Sequence, residues 1–255
     1  NGNNITALRV KGSFDDCQNM VKKAFVDNEL KNKFNLTSAN SINVARWLPQ
    51  AFYYFYAVKK LKKNNLVFSV PSGNFGNICA GIIAKKLGLP IDHFIASTNV
   101  NDTIPRYFKS QVFSPKPTTQ TISNAMDVSN PSNFIRIQEM FENFESLSSF
   151  LSSYSFDDNQ TLEIVKKIYN DKKYIMDPHG AVGLLGLKKY LANNSSKTGV
   201  FLETAHPIKF SKHIENAIKV KLDIPEKINK ILSKKKQYND IRDYDDFKKK
   251  ILSMD

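Results

Sequence analysis

The feature that most constrains the fold is an apolar run that ends in a glycine-containing turn. Residues 65–70, NLVFSV, are rich in β-branched and aromatic side chains, and VPSGNFGN follows at residues 70–77. The next residues place apolar side chains on one helical flank up to Gly88. The patterns predict a short buried strand, a tight turn and a helix. Because free backbone N–H groups and the positive end of the helix dipole would point at one spot, the turn is a candidate phosphate site.

The glycine spacing alone does not identify a ligand. No Gly-Lys-Ser/Thr follows the turn, so it is not a P-loop, and Gly73 and Gly76 do not complete the G-x-G-x-x-G pattern of dinucleotide-binding turns. A tight connection without any ligand is the alternative. The spacing therefore leaves a phosphate site and a plain turn both open.

The rest of the pattern predicts an α/β protein. Residues 93–98, HFIAST, are typical of a second strand, which makes a β-α-β unit with parallel strands and ligands at their carboxyl ends. The long irregular stretch 111–133 is expected to border a site. We also predict strands at 5–10 and 198–204, and helices at 13–27, 44–61, 132–153, 157–170 and 180–193. In the aromatic helix 44–61, Pro49 predicts a kink or restart, and the density of rings predicts burial on several sides.

Composition limits the function classes. The formal net charge is +13, but the lysines are dispersed and no nucleic-acid recognition motif is present, so we expect no nucleic-acid partner. No run approaches a membrane span, so we expect no membrane partner. Two cysteines and four scattered histidines predict neither a disulfide framework nor a metal site, and a reducing cytoplasm is the expected compartment.

Several polar residues have both a structural and a functional interpretation. In TSANSINVAR, residues 37–46, helix capping is favoured over a hydrogen-bonding shelf on which Arg46 binds an anion. Asp177 is expected to cap the helix that follows it. His206, which stands before a proline, is interpreted as structural rather than as a general base.

Six segments in colinear order resemble the threonine synthase family of bacteria and fungi. They are TALRVKGSFDDCQNMVKKAF, TSANSINVARWLPQAFYYFYA, VPSGNFGNICAGIIAKKLGLPI, NAMDVSNPSNFIR, DPHGAVG and LETAHPIKF. The resemblance implies a tryptophan synthase β-like fold of type II with pyridoxal 5'-phosphate as cofactor. It further implies conversion of O-phospho-L-homoserine and water into L-threonine and phosphate. The implied domains are the remainder of a small α/β domain at 1–38, a cofactor domain at 39–221 and peripheral helices at 222–255.

The resemblance also implies roles for particular residues. The cofactor's phosphate would be bound by the glycine turn and its pyridine nitrogen approached by a threonine: Ser72, Gly73, Asn74, Phe75, Gly76, Asn77 and Thr204. The substrate would be held by Asn40, Ser41, Asn43 and Arg46. A second anion site is required for the leaving phosphate, with Asn101, Arg106 and Lys109 as further candidates.

The family's Schiff-base lysine lies in an FKD-type motif that has no counterpart in this sequence. We therefore expect no catalytic lysine here, no threonine formation by the chain alone, and a place as the C-terminal part of a longer enzyme, monomeric or homodimeric. Two alternatives remain open. One is a phospholyase of the same fold that eliminates phosphate without forming threonine, and the other is a non-catalytic module that binds a phosphate ligand.

Overall fold

The computed structural model describes residues 4–254, which divide into two compact units. Residues 39–222 form one unit, and the segments 4–38 and 223–254 form the other. The strands are β1 Leu8–Val10, β2 Leu66–Pro71, β3 Ile91–Thr98, β4 Leu151–Ser155, β5 Thr198–Phe201 and β6 Asn239–Ile241. The α-helices are α1 Phe14–Val26, α2 Asn28–Lys33, α3 Trp47–Leu61, α4 Gly76–Lys86, α5 Thr103–Ser110, α6 Phe134–Gln138, α7 Phe144–Phe150, α8 Asp158–Lys172, α9 Pro178–Leu191, α10 Ser211–Ile218, α11 Glu226–Leu232 and α12 Tyr244–Leu252.

The larger unit is built on a parallel four-stranded sheet in the order β4-β3-β2-β5. The sequence-based prediction of a parallel β-α-β unit is thus confirmed for β2, α4 and β3. All residues of β2 are buried, as expected of a central parallel strand. Because β3 and β5 flank β2 on opposite sides, the chain order reverses at β2. A crevice outside the carboxyl ends of the strands is expected at such a point.

Helices cover both faces of this sheet. Leu66, Phe68 and Val70 of β2 share a core with α3 and α4, whereas Val67 packs with Leu187 of α9 on the other face. The alternation follows from the two-residue period of a strand. The glycine turn is therefore held between a fully buried strand and a buried helix.

One expectation about α3 was confirmed and one was wrong. Pro49 marks a restart, since α3 begins at Trp47 directly after the short helical turn Val44–Arg46. Pro49 is its third residue, where the missing N–H group has no intrahelical partner to lose. Among the aromatic residues only Tyr54 is fully buried, while Phe52 and Tyr56 are 67% and 63% exposed. Only one flank of α3 faces the sheet.

The predicted helix 132–153 was also wrong. The structure has two short helices there, α6 and α7, followed by β4, which pairs with β3. The serine-rich sequence of β4, LSSYS, lacks the β-branched residues that mark a strand. Its position is decided by pairing at the sheet edge rather than by propensity.

The smaller unit joins the two ends of the described chain. β1 and β6 pair in parallel, with Arg9 Nε 2.6 Å from Asp240 Oδ1. Ser13 and Asp16 form a capping box at the start of α1. The C-terminal segment, expected to contain helices alone, contributes β6, a strand of three residues that periodicity could not reveal.

Candidate functional site

The turn after β2 leaves a row of backbone N–H groups without partners. Ser72 is committed to the sheet, since its N–H group donates to Ser97 O at 2.8 Å and its hydroxyl to Val70 O at 2.8 Å. Helix α4 then starts without a side-chain cap. In the described part of the chain, no acceptor takes a hydrogen bond from the N–H groups of residues 73–77. Consecutive free N–H groups at a helix N-terminus form a binding site for an anion.

Phe75 has a backbone conformation that residues other than glycine rarely adopt. Its φ of 61° lies in the left-handed region, and its side chain is only 3% exposed. The ring packs edge-on against Phe134, with centroids 5.7 Å apart. Strain of this kind persists where the surrounding packing fixes it and is concentrated at functional sites.

Both glycines of the turn are required by close neighbours. A Cβ atom on Gly73 would lie 2.7 Å from Met126 Cα and 2.9 Å from Ala125 O, and one on Gly76 would collide with Ser41 Cβ. A larger residue would therefore push the turn away from the two segments that wall it.

Asn74 braces the turn through its side chain. Its Oδ1 accepts hydrogen bonds from Ser132 N at 2.7 Å and Ser132 Oγ at 3.0 Å, and its Nδ2 donates to Ser41 Oγ at 3.2 Å. The side-chain amide is thereby engaged with protein, and the backbone N–H group of Asn74 stays available for a ligand.

Asn133 and Arg136 support the turn from outside and were not assigned a role from the sequence. Asn133 Nδ2 donates to Asn74 O at 2.9 Å and Ser41 Oγ at 3.0 Å. Arg136 Nη1 donates to Asn133 Oδ1 and Nη2 to Ile42 O, both at 2.8 Å. Their only signal in the sequence was their place within NAMDVSNPSNFIR, because hydrogen bonds between segments this far apart leave no periodic pattern.

Of the residues predicted to bind substrate, Ser41 accepts hydrogen bonds from the distant Asn74 and Asn133, whereas Asn40 and Asn43 accept hydrogen bonds from nearby backbone groups. Asn40 Oδ1 accepts from Ile42 N at 3.2 Å, and Asn43 Oδ1 caps a short helical turn by accepting from Ala45 N at 3.1 Å. Arg46 ends that turn with an exposed side chain. The structure thus shows the capping contacts that the sequence favoured, with Arg46 left open to solvent.

A cavity of about 530 Å³ lies beside the turn and brings together Asn77 and Thr204, two predicted cofactor residues far apart in sequence. It is lined by Gln50, Tyr53, Asn77, Leu202, Glu203 and Thr204. The Tyr54 hydroxyl donates to Asn77 Oδ1 at 2.7 Å and fixes this side chain. Asn77 and Thr204 lie close together because β2 and β5 are parallel neighbours, whose carboxyl ends share one edge of the sheet.

Two polar atoms beside this cavity lack protein partners. Gln50 Oε1 and Tyr53 Oη are buried and make no hydrogen bond within residues 4–254. Burial raises the pKa of the Tyr53 phenol far above its ordinary value, so it remains a donor at neutral pH. Buried polar atoms left unpaired in this way are expected where a ligand or water completes them.

Two of the candidates for a second anion site, Arg106 and Asn101, are engaged elsewhere. Arg106 Nε lies 2.8 Å from Asp102 Oδ1, and Arg106 Nη2 donates to Ser114 O at 2.8 Å. Asn101 is buried, with Nδ2 donating to Asn99 Oδ1 at 2.9 Å, and Lys109 is exposed on α5. The structure commits Arg106 to a neighbouring carboxylate rather than to an open anion site.

The capping roles expected farther along the chain are confirmed. Asp177 caps α9, with its Oδ1 accepting from His179 N at 2.8 Å. His206 is structural, since its Nδ1 accepts from Ile208 N at 3.2 Å. Across residues 4–254 there is no group of three His, Cys, Asp or Glu side chains that could hold a metal ion. Over the same span, every helix is too short or too polar for a bilayer crossing.

Comparison with known proteins gives the family. Residues 2–204 match the family described as "Pyridoxal-phosphate dependent enzyme". The chain belongs to this family. Residues 180–251 match "Threonine synthase, C-terminal". The family match confirms the type II fold and the cofactor expected from the sequence.

The relatives are named threonine synthase. The threonine synthase of Haemophilus influenzae is 48% identical over 90% of this chain and 54% of its own length. The crystal structure of threonine synthase from Escherichia coli superposes with a TM-score of 0.94 at 41% identity, covering 100% of this chain and 60% of that one. A pyridoxal-phosphate-bound threonine synthase from Brucella melitensis gives 0.80 at 31% identity, covering 94% and 57%. The chain spans a little over half the length of these relatives, and the resemblance to threonine synthase is confirmed.

Proposed function

We propose that this chain forms the part of a threonine synthase active site that binds the phosphate and the pyridine nitrogen of pyridoxal phosphate. The observation that carries the proposal is the row of unpartnered N–H groups at residues 73–77, beside a cavity that reaches Thr204. Residues 73–77 would hold the phosphate through backbone N–H groups, as is favourable for a dianion at a helix N-terminus. Unpaired Gln50 and Tyr53 atoms would complete their hydrogen bonds on the ligand.

Each polar side chain has a distinct task in this arrangement. When bound, the cofactor withdraws electrons from the substrate carbons during proton removal. Thr204 would offer a neutral hydroxyl to the pyridine nitrogen, which leaves that nitrogen largely unprotonated. Asn77 is held in the cavity by Tyr54 and would orient the ring.

The substrate side of the proposal rests on Asn40, Ser41, Asn43 and Arg46. Arg46 is exposed, and its guanidinium is suited to a phosphate or carboxylate group. The full enzyme would convert O-phospho-L-homoserine and water into L-threonine and phosphate. No lysine of this sequence stands in an FKD-type motif, so we assign none of them to the covalent bond with the cofactor.

Cofactor retention by glycine variants tests the phosphate site. Gly76→Ala places a Cβ atom into Ser41, whereas Gly183→Ala meets its nearest neighbour, Pro71 Cδ, at an ordinary 3.4 Å. In equilibrium dialysis with pyridoxal phosphate, we expect Gly76→Ala to lose about hundredfold in affinity and Gly183→Ala to bind like the parent chain. Equal affinities for both variants would contradict the proposed site.

Product analysis tests the reaction. In the protein that carries this chain, O-phospho-L-homoserine is expected to yield threonine and phosphate in equal amounts. Phosphate released without threonine would instead identify a phospholyase of the same fold. Absence of both products with cofactor bound would favour a binding module.

A further inference from the structure

A buried group of ionisable side chains lies behind the cofactor cavity. The Asp177 and His179 side chains are almost completely buried at the start of α9. His179 Nδ1 lies 2.6 Å from Asp177 Oδ1, and His179 Nε2 accepts a hydrogen bond from Ala125 N at 3.2 Å. Because a backbone N–H group can only donate, Nε2 carries no hydrogen, and Nδ1 donates to Asp177.

Glu203 lies next to this pair, and the two carboxyl groups together have buried oxygens that lack hydrogen-bond donors. Asp177 Oδ2 and Glu203 Oε1 are both buried and have no donor among the residues that the structure describes. The two carboxyl groups nevertheless adjoin each other, because Glu203 Oε2 lies beside the backbone N–H group of Asp177. The contact from Asp177 N to Glu203 Oε2 is long, at 3.4 Å. Two ionised carboxylates in such a place repel each other, so one of them must carry a proton.

The surroundings decide which carboxyl group is protonated. Burial alone would raise the pKa of Asp177, but hydrogen bonds with His179 and Glu203 outweigh it and lower the pKa. Burial, the hydrogen bond with Asp177 and the charge of Asp177 together raise the pKa of Glu203 to about 9. Asp177 is therefore the ionised partner and Glu203 the protonated one.

No other charge near Glu203 opposes this assignment. Tyr174, which precedes α9, interacts with both acids, and burial raises the pKa of its phenol. Tyr53 of α3 lines the same cavity as Glu203 and also keeps its proton. Gly180 of α9 packs so closely that a Cβ atom there would collide with the Glu203 carboxyl group. Among the described residues, burial and Asp177 set the pKa of Glu203, and no lysine or arginine acts on it.

We propose that Glu203 is a positioning residue that carries a proton at neutral pH and shares it with Asp177. The shared proton ties the end of β5, and with it the adjacent Thr204, to the start of α9. His179 extends the connection to Ala125, which lies against Gly73 in the glycine turn. The role of Thr204 rests on the proposed function, whereas the shared proton does not.

The shared proton makes the free energy of unfolding depend on pH in a definite direction. Because the folded chain raises the pKa of Glu203 from 4.5 to about 9, its contribution to the free energy of unfolding is complete below about pH 4.5. Between these values the unfolded chain has lost the proton and the folded chain keeps it. The contribution therefore falls as the pH rises and is lost above about pH 9.

Denaturant unfolding of the whole chain at several pH values tests this. Glu203→Gln keeps a neutral donor but cannot titrate, and Glu163→Gln, an exposed site on α8, is the matched control. From about pH 5.5 to 8.5, we expect the unfolding constant of the parent chain, divided by that of Glu203→Gln, to rise by up to about tenfold per pH unit. The ratio to Glu163→Gln should stay flat. A flat ratio for Glu203→Gln as well would overturn the shared proton.

Cofactor affinity tests the positioning role separately. At neutral pH we expect Glu203→Gln to retain the affinity for pyridoxal phosphate within about twofold and Glu203→Ala to lose about tenfold, because only the former replaces the donor. Parent-like affinity in Glu203→Ala would overturn the positioning role. If the parent chain itself failed to bind pyridoxal phosphate, the proposed function would fail, while the pH series would still decide whether the proton is shared.

Discussion

Two helices that follow parallel strands of the same sheet begin in opposite ways. At the start of α8, Asp157 Oδ1 accepts from Gln160 N at 2.8 Å, and Gln160 Oε1 accepts from Asp157 N at 3.0 Å. At the start of α4, the cap residue is Phe75, which offers no acceptor. The first helix satisfies its free N–H groups with its own side chains, and the second leaves them open. The difference shows that a helix start suited to an anion is one from which capping has been withheld.

The two starts are also held in place differently. The capping box of α8 is local, since both partners lie within four residues. The turn before α4 is held by a distant segment, in which Asn133 contacts both Ser41 and the carbonyl group of Asn74. The uncapped start of α4 therefore depends on packing between segments, whereas the capped start of α8 does not.

The largest loss of stability is expected when Asn133, the distant support of the turn, is replaced. Asn133→Ala removes three hydrogen-bond contacts in a buried network, and we expect the free energy of unfolding to fall by about 2 kcal/mol with a clear loss of pyridoxal phosphate affinity. Asn193→Ala, at an exposed position after α9, is the control and should change stability by less than about 0.5 kcal/mol. Unaltered cofactor affinity in Asn133→Ala would contradict the conclusion that the turn before α4 depends on this distant segment.

A smaller effect is expected at the capped start. Asp157→Ala should lower the free energy of unfolding by about 1 kcal/mol, because Gln160 N loses its acceptor, and should leave cofactor affinity unchanged. Asp157→Asn retains a capping oxygen and should stay close to the parent chain. A loss of cofactor affinity in Asp157→Ala would show that the two helix starts are not independent.

The smallest effect is expected at the far side of the cavity. Thr204→Val removes one hydroxyl group from an exposed side chain, so we expect about a threefold loss of pyridoxal phosphate affinity and no change in stability. Thr204→Ser, which keeps the hydroxyl group, should bind normally. Identical binding by Thr204→Val and Thr204→Ser would remove Thr204 from the site.

Periodicity predicted the framework of the larger unit but not its edge. β2, α4 and β3 carry strong local patterns, and their parallel pairing followed from the chain order. β4 carries no such pattern, because an edge strand rich in serine is stabilised by its neighbour rather than by its own side chains. Pro49 predicted the restart at α3 because proline is tolerated in the first turn of a helix.

The site was predictable where its chemistry is local. The glycine turn could be found from its place after an apolar strand, and the capping of α9 from Asp177. The collision of a Gly76 Cβ with Ser41, the support from Asn133 and the adjoining carboxyl groups of Asp177 and Glu203 arise between distant segments. No single-segment pattern encodes such contacts, so only the folded chain shows them.

The most direct test of the phosphate site compares two ligands that differ only in the phosphate group. Affinities of the chain for pyridoxal phosphate and for pyridoxal, measured by equilibrium dialysis at one salt concentration, isolate the contribution of residues 73–77. We predict that pyridoxal phosphate binds at least about hundredfold more tightly, since several charge-assisted hydrogen bonds are involved. Equal affinities would contradict the assignment of the glycine turn as the phosphate site.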